Sequence, residues 1–278
     1  MKLRSFLVTA LLFAFTAGLR AQSITVATFN IRFDNPSDSG NLWVNRAPVV
    51  ANLIRFHEFD VFGIQEGLKN QLDDISAALP EYARYGAGRD DGKDGGEHSA
   101  VYYRKDKFRL LKSGDFWLSQ TPGTPGKGWD ATCCNRICSW VYLQDLKTQK
   151  KFYMFNVHFD HQGVVARTES GKLMISKIKE IAKGEPALLT GDLNGDRSSE
   201  WYKTIAGSGI LKDTHSEVKY PYENNSSANG FRIPRGMAVI DHVFMSGQFK
   251  AHKWGILTDT YFGKYPSDHF PVMAVVEL

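Results

Sequence analysis

The sequence predicts an α/β fold in which two β-sheets pack face to face with helices on the outside. Three observations carry this expectation. Short apolar, strand-like runs alternate with amphipathic, helix-like segments in both halves of the chain. Many of the strands read as antiparallel, which favours two stacked mixed sheets over one open parallel sheet. Neither a short-period repeat nor a linker splits the 278 residues, so one large domain is expected.

Residues 24–30 form an apolar-rich strand that ends in polar residues, and 36–41 is a turn-rich loop. Residues 46–57 place Val49, Val50, Leu53 and Ile54 at helical spacing. Residues 60–65 are a short buried-type strand running straight into Glu66. Residues 69–79 form an amphipathic helix stopped by Pro80. The charged, Gly-rich stretch 89–96 is expected to be a mobile loop, and 98–103 and 108–117 read as strands paired with each other. A Pro- and Gly-rich surface loop fills 121–130. Residues 137–146 and 151–159 form a hairpin around 147–150. Residues 164–182 are a strong helix with Leu173, Ile175, Ile178 and Ile181 among its apolar positions. A strand at 186–190 enters Gly191-Asp192, and 199–206 is a short helix. Residues 219–236 are a polar, aromatic loop, and 239–245, 249–257 and 271–277 are the closing strands.

Hydrophobic content of 42% and charged content of 23% are ordinary for a globular protein. A net charge of +4 tolerates an anionic substrate but does not favour nucleic acid as the partner. Lys2 and Arg4 precede an apolar run over 6–17 and a small-residue stretch ending at Ala21. This pattern predicts an export signal, residues 1–21, followed by one domain over 22–278 in the periplasm or outside the cell. The run is short for a bilayer span, and no stable membrane insertion is expected once it is removed; an uncleaved anchor is the alternative. The 3 cysteines are Cys133, Cys134 and Cys138. Neighbouring cysteines rarely bridge, so any disulfide is expected to use Cys138.

The informative feature is where polar residues fall. Asn30, Glu66 and His158 end apolar strands; Asp192 and Asn194 follow one. Asp241 and His242 sit inside another, and Asp268 and His269 precede the last. Strand ends are where α/β proteins build sites, and a core has no use for so many ionisable groups. Carboxylate and amide oxygens suit Mg²⁺, with Mn²⁺ or Ca²⁺ as alternatives. Oxygen ligands with nearby imidazoles fit phosphate-ester hydrolysis: a metal neutralises phosphate oxygens, a base prepares water and an acid protonates the leaving group. Each residue alone has a plainer reading, such as a capped turn at Asp268-His269 or a satisfied core imidazole at His158.

In order, the stretches Thr28-Phe29-Asn30-Ile31-Arg32, Gly63-Ile64-Gln65-Glu66, Asn156-Val157-His158-Phe159-Asp160, Gly191-Asp192-Leu193-Asn194, Ile240-Asp241-His242-Val243-Phe244 and Ser267-Asp268-His269-Phe270-Pro271 resemble the endonuclease/exonuclease/phosphatase superfamily, deoxyribonuclease-like metal-dependent phosphohydrolases with exported bacterial members. The resemblance implies a four-layer α/β/β/α sandwich with the site at one sheet edge. It implies Glu66 as main metal ligand with Asn30 and Asp268 beside it. Asp192 would orient or deprotonate the attacking water, and Asn194 would hold a phosphate oxygen. His269, oriented by Asp241, and His158 would contact the scissile phosphate, both charged near neutrality. In the deoxyribonuclease branch a Glu orients the second of these imidazoles, and Glu97 stands at the matching strand.

Arg136, Arg104 and Arg167 are further candidates for binding substrate, with surface or structural ion pairs as the alternative for each. His98 and His161 lie near the matched stretches, and residues 229–235, with Phe231, Arg232 and Arg235, read as a rim loop. The expected function is divalent-metal-dependent hydrolysis of a small or nucleic-acid-derived phosphoester by a monomer. A catalytically inactive phosphate-ligand binding protein on the same scaffold is the alternative.

Overall fold

The computed structural model describes residues 22–234 and 236–278. The expected export signal, residues 1–21, and Arg235 lie outside the described residues. Among the described residues no helix is long and apolar enough to cross a membrane.

In chain order the elements are β1 (Ser23–Asn30), α1 (Trp43–Phe56), β2 (Val61–Gln65), α2 (Lys69–Ala78), β3 (Tyr82–Tyr85), β4 (Val101–Arg104), β5 (Phe108–Trp117), β6 (Ile137–Asp145), β7 (Lys151–His158), α3 (Val164–Ala182), β8 (Ala187–Asp192), α4 (Glu200–Ala206), β9 (Leu211–Asp213), a 3-10 turn (Thr214–Glu217), β10 (Asp241–Ser246), β11 (Lys250–Ile256) and β12 (Val272–Glu277). They form two 6-stranded sheets, ordered β11-β12-β1-β2-β4-β3 and β5-β6-β7-β8-β10-β9. One pair in each sheet is parallel, β1 with β2 and β7 with β8; the remaining pairings are antiparallel. A parallel pair needs a long crossover, and α1 and α3 supply the two.

Alternation along the strands separates the layers. Val26, Val61, Val141, Leu143, Met154, Leu188 and Val243 point between the sheets. Ala27, Phe29 and Phe62 face outward onto Val50 and Ile54 of α1 and Leu72 and Ile75 of α2. On the other side Phe155, Val157 and Leu189 meet Met174 and Ile178 of α3 and Ile205 of α4. The result is the expected four-layer sandwich. Each fully buried aliphatic side chain here contributes about 1.5–3 kcal/mol.

One polar cluster crosses the middle layer. Asn156 of β7 reaches the opposite sheet, donating to the carbonyls of Ile64 at 2.8 Å and Ala100 at 3.0 Å. Its Oδ1 accepts from Gln65 at 2.6 Å and from Thr190 at 3.0 Å. Gly63 leaves the room for it: a Cβ there would lie 2.1 Å from Asn156 Oδ1.

Three expectations are corrected. Strands β4 and β5 do not pair with each other. β4 lies between β2 and β3, while β5 pairs with β6, so residues 105–107 carry the chain from one sheet to the other. Stretch 89–96 is tied down, with Arg89 N donating to Glu97 O, Asp90 N to Gly95 O, and Asp91 Oδ1 accepting from Lys93 N and Gly95 N. Cys138 takes no part in a disulfide among the described residues: its thiol is free and buried in the core between β6 and α3.

Candidate active site

Both parallel pairs end at the same edge of the sandwich, and the polar residues gather there. Asn30 ends β1, and Glu66 follows β2. His158 and Asp192 end β7 and β8 as register neighbours, and Asp241 of β10 stands opposite Asp192. The Asp268-His269 segment joins them before β12. Ser267 Oγ donates to Asn30 O at 2.7 Å, and the amides of Asn229 and Gly230 donate to Asp268 O. Arg32, Glu66 and Asn194 adopt positive φ of 56°, 62° and 46°. For residues with a Cβ this costs of order 1–3 kcal/mol each and is held by the surrounding contacts.

Asp241, Asp192, Asn194 and His158 of the second sheet meet His269, from the segment before β12, in an acid–base cluster. His269 Nδ1 donates to Asp241 Oδ2 at 2.9 Å, and its Nε2 lies 3.9 Å from Asp192. Burial alone would strip the His269 proton, but Asp241, Asp192 and Asp268 outweigh it and hold the imidazole charged. Burial and the neighbouring Asp241 push Asp192 up to about 7, against His269 and the Asn194 and Asn30 hydrogen bonds. Asn194 N donates to Asp192 Oδ1 at 2.8 Å, and its side-chain amide donates to His158 Nε2 at 3.1 Å.

His158 departs from expectation. Burial, then the positive neighbours Arg136 and Arg89, drive its pKa well below the ordinary value. It is a neutral imidazole accepting at Nε2, so one charged imidazole faces the site rather than two. Glu97 does not orient it. Both Glu97 oxygens are taken by Arg89, at 2.6 and 2.9 Å, and His158 Nδ1 is buried with no hydrogen-bond partner.

The first sheet supplies carboxylates. Arg32 approaches Glu66 and Asp268 at 3.9 Å each, beyond hydrogen-bond range, because its close pairing is with Asp38 at 2.9 Å. Burial raises the Asp268 carboxyl, with His269 opposing and Glu66 adding to the rise. Two under-neutralised hard-oxygen donors at one edge fit a divalent cation such as Mg²⁺. Asn30 arrives with its amide nitrogen, not its oxygen, toward the carboxylates. Nδ2 bridges Glu66 at 3.0 Å and Asp192 at 3.1 Å, while Oδ1 accepts from Arg32 N. As placed, it couples the two sheets' acids and does not present a metal ligand. Asp192, Asp241 and His269 also bring ligand atoms within 4.8 Å of one another. A charged imidazole already bonded to Asp241 is a poor metal ligand, so this trio reads as proton-handling machinery.

These residues open on a cleft of about 460 Å³, whose lining also includes Arg32, Phe33, Arg89, Arg136, His161 and the Cys133–Cys134 pair. Arg136, 5% exposed, donates through Nη2 to His161 Nδ1 at 2.9 Å, while Nε and Nη1 are buried without partners. Arg104 is not at the site. It sits beside the opposite end of β2, paired to Asp106 at 2.6 Å. Arg167 supports the site from behind, donating to Asp160 O at 3.0 Å and stacking on Trp201. His98 is buried against Gly67 O. The 229–234 loop is attached through Asp268, but Phe231 turns to the guanidinium of Arg46 instead of the cleft.

Sequence reasoning missed Arg46, the largest fully buried side chain, which donates to the carbonyls of Ile31, Arg32, Asn41 and Pro266. It also missed Arg89 and Arg32. Arg32 stands in a matched stretch, so a signal existed; Arg89 lay in a loop that composition marked as mobile.

The family model for the endonuclease/exonuclease/phosphatase family matches residues 27–269. An endonuclease/exonuclease/phosphatase family protein of Bacteroides thetaiotaomicron is 45% identical with a TM-score of 0.90, covering 92% of this chain and 95% of that one. A mannosyl-6-phosphatase of the same organism is 44% identical with a TM-score of 0.90, covering 92% of this chain and 100% of that one. A Bacteroides vulgatus endonuclease/exonuclease/phosphatase is 41% identical with a TM-score of 0.88 over 92% of this chain and 99% of that one. The chain belongs to the endonuclease/exonuclease/phosphatase family and is a hydrolase of phosphoesters.

Proposed function

We propose that the protein is a divalent-metal-dependent phosphohydrolase acting on a small phosphoester by water attack at phosphorus. The observation that carries this is the meeting, at one edge, of Glu66, Asp268 and His269 from the first sheet's side with His158, Asp192, Asn194 and Asp241 from the second. Glu66 and Asp268 would hold the ion, with Asn30 beside them. A bound Mg²⁺, Mn²⁺ or Ca²⁺ would neutralise phosphate oxygens.

Asp192 accepts a proton from the attacking water. Asn194 and His158, bonded to each other, wall the phosphate on one side, and His269, kept charged by Asp241, stabilises the negative charge that develops as the water oxygen bonds phosphorus. The ester P–O bond then breaks, and the leaving oxygen takes a proton from solvent. A cleft of about 460 Å³ favours a substrate of the size of a phosphorylated sugar or a nucleotide. The likeness to a mannosyl-6-phosphatase supports the sugar phosphate. The net charge of +4 gives no special support to long nucleic acid. The Lys2, Arg4 and apolar 6–17 pattern supports export, with the enzyme working outside the cytoplasm as a monomer.

The test is a hydrolysis panel of a chromogenic monoester, a chromogenic diester, sugar phosphates, plasmid DNA and RNA, each with Mg²⁺, Mn²⁺, Ca²⁺ or chelator. The reading requires activity that chelation abolishes and His269→Ala removes. Wild-type turnover equal to that of His269→Ala on every substrate refutes hydrolysis at this site; turnover surviving full chelation refutes the metal.

A further inference from the structure

We propose that Arg89 and Arg136 form a dibasic subsite that takes the extra oxygen of a terminal phosphate, so that the enzyme selects phosphomonoesters over phosphodiesters. This deepens the proposed function and rests on it. Two guanidinium groups flank His158 in the cleft, which Glu66 also lines. Arg136 is buried, yet two of its three nitrogens, Nε and Nη1, have no hydrogen-bond partner; the nearest carboxylate, Asp160, stands 3.7 Å from Nε. Arg89 spends both terminal nitrogens on Glu97 and keeps a buried, unpartnered Nε.

Arg136 Nη1 is the nitrogen with no anion beside it. Asp160 accepts from the backbone amides of Gln162 and Gly163 through Oδ1, and its Oδ2 is the charge that faces Arg136 Nε at 3.7 Å. His161 accepts from only one Arg136 nitrogen. Arg89 is held in place from behind, its carbonyl accepting from Trp117 Nε1 at 2.7 Å and Asn135 Nδ2 at 3.3 Å. Buried charged donors without partners are costly, and both side chains line the cleft, so an anionic oxygen supplied by the substrate is the partner that satisfies them.

A monoester carries three terminal oxygens and up to two negative charges. A diester carries two such oxygens and one charge, with an alkyl group in place of the third. That alkyl group would cover the free nitrogens without pairing them, and a site built for hydrogen bonds rejects a partner that lacks them. In the favoured reaction water's oxygen bonds phosphorus, the single ester bond breaks, and an alcohol and inorganic phosphate leave.

The experiment measures kcat/KM for 4-nitrophenyl phosphate and bis(4-nitrophenyl) phosphate with Mg²⁺, in wild type, Arg136→Met and Arg89→Lys. The ratio of the two constants within one protein does not depend on how much of that protein is folded. The expected result is a wild-type ratio above one that falls at least about tenfold in Arg136→Met, with a smaller fall in Arg89→Lys. Inorganic phosphate should also inhibit wild type more strongly than Arg136→Met. Equal losses on both esters, or a wild-type preference for the diester, overturn the subsite while leaving hydrolysis standing. No turnover of either ester by wild type overturns the proposed function and the subsite together.

Discussion

His269 and Asp241 act as one unit: the imidazole keeps its proton because the carboxylate lies 2.9 Å from Nδ1 in a water-poor site. His269→Ala should lower kcat by about a hundredfold or more. Asp241→Asn should lower it less, and the double substitution should be no worse than His269→Ala alone, since partners in one network are not additive. Steady-state kinetics at saturating Mg²⁺ on all three variants checks this. Arg104→Gln gives the contrast. Its exposed pair with Asp106 lies away from the cleft, so kcat should be unchanged and stability should move by no more than about 0.5 kcal/mol. Arg104 and Arg136 look alike in a sequence, each standing near a strand. What separates them is which end of the sheet the strand presents, and that follows from pairing.

At the scale of elements, strand chemistry was readable and strand partnership was not. Asn30, His158 and Asp192 were recognisable because a hydrophobic run stops at each. The assignment of β4 and β5 to different sheets was hidden, because a three-residue connection serves a sheet crossing as well as a hairpin. Strands β3 and β9, of 4 and 3 residues, are too short to show a period. That Cys138 is a core side chain of β6 and not a loop thiol was hidden too, because its neighbours in sequence do not show its burial.

Two predictions belong to this scale. Asn156→Leu removes the amide that donates to the Ile64 and Ala100 carbonyls and accepts from Gln65 and Thr190 between the sheets, and should cost about 2–5 kcal/mol in urea unfolding. The second concerns Asp213 at the end of β9. Burial raises its carboxyl, but His242, the His215 amide and the Tyr202 hydroxyl more than reverse this and leave its pKa lowered. A lowered folded pKa stabilises above the unfolded value of about 3.9, and that share is lost as pH falls through the depressed folded value. The stability gap between wild type and Asp213→Asn should therefore be full near neutrality and close below about pH 4.

For the molecule as a whole, the four layers and the edge that carries the site followed from matched stretches spread over nearly the whole chain. The electrostatic detail did not, because whether His158 is charged depends on how deeply it is buried and on two arginines brought in by other segments. Ion binding should be visible apart from catalysis. Mg²⁺ at a hundred times its dissociation constant should raise unfolding free energy by about 2.7 kcal/mol, and Glu66→Gln should abolish most of that gain in a thermal melt.

Asn30, Glu66 and the Asp268-His269 segment belong to one sheet and His158, Asp192 and Asp241 to the other, and Asn156 crosses the layer between them. Neither half of the chain owns a working centre, so turnover reports assembly and not secondary structure. During refolding from denaturant, circular dichroism should recover before hydrolysis does, and the lag should lengthen in Asn156→Leu. An enzyme refolding from the extended chain would then stay silent until its two sheets have docked.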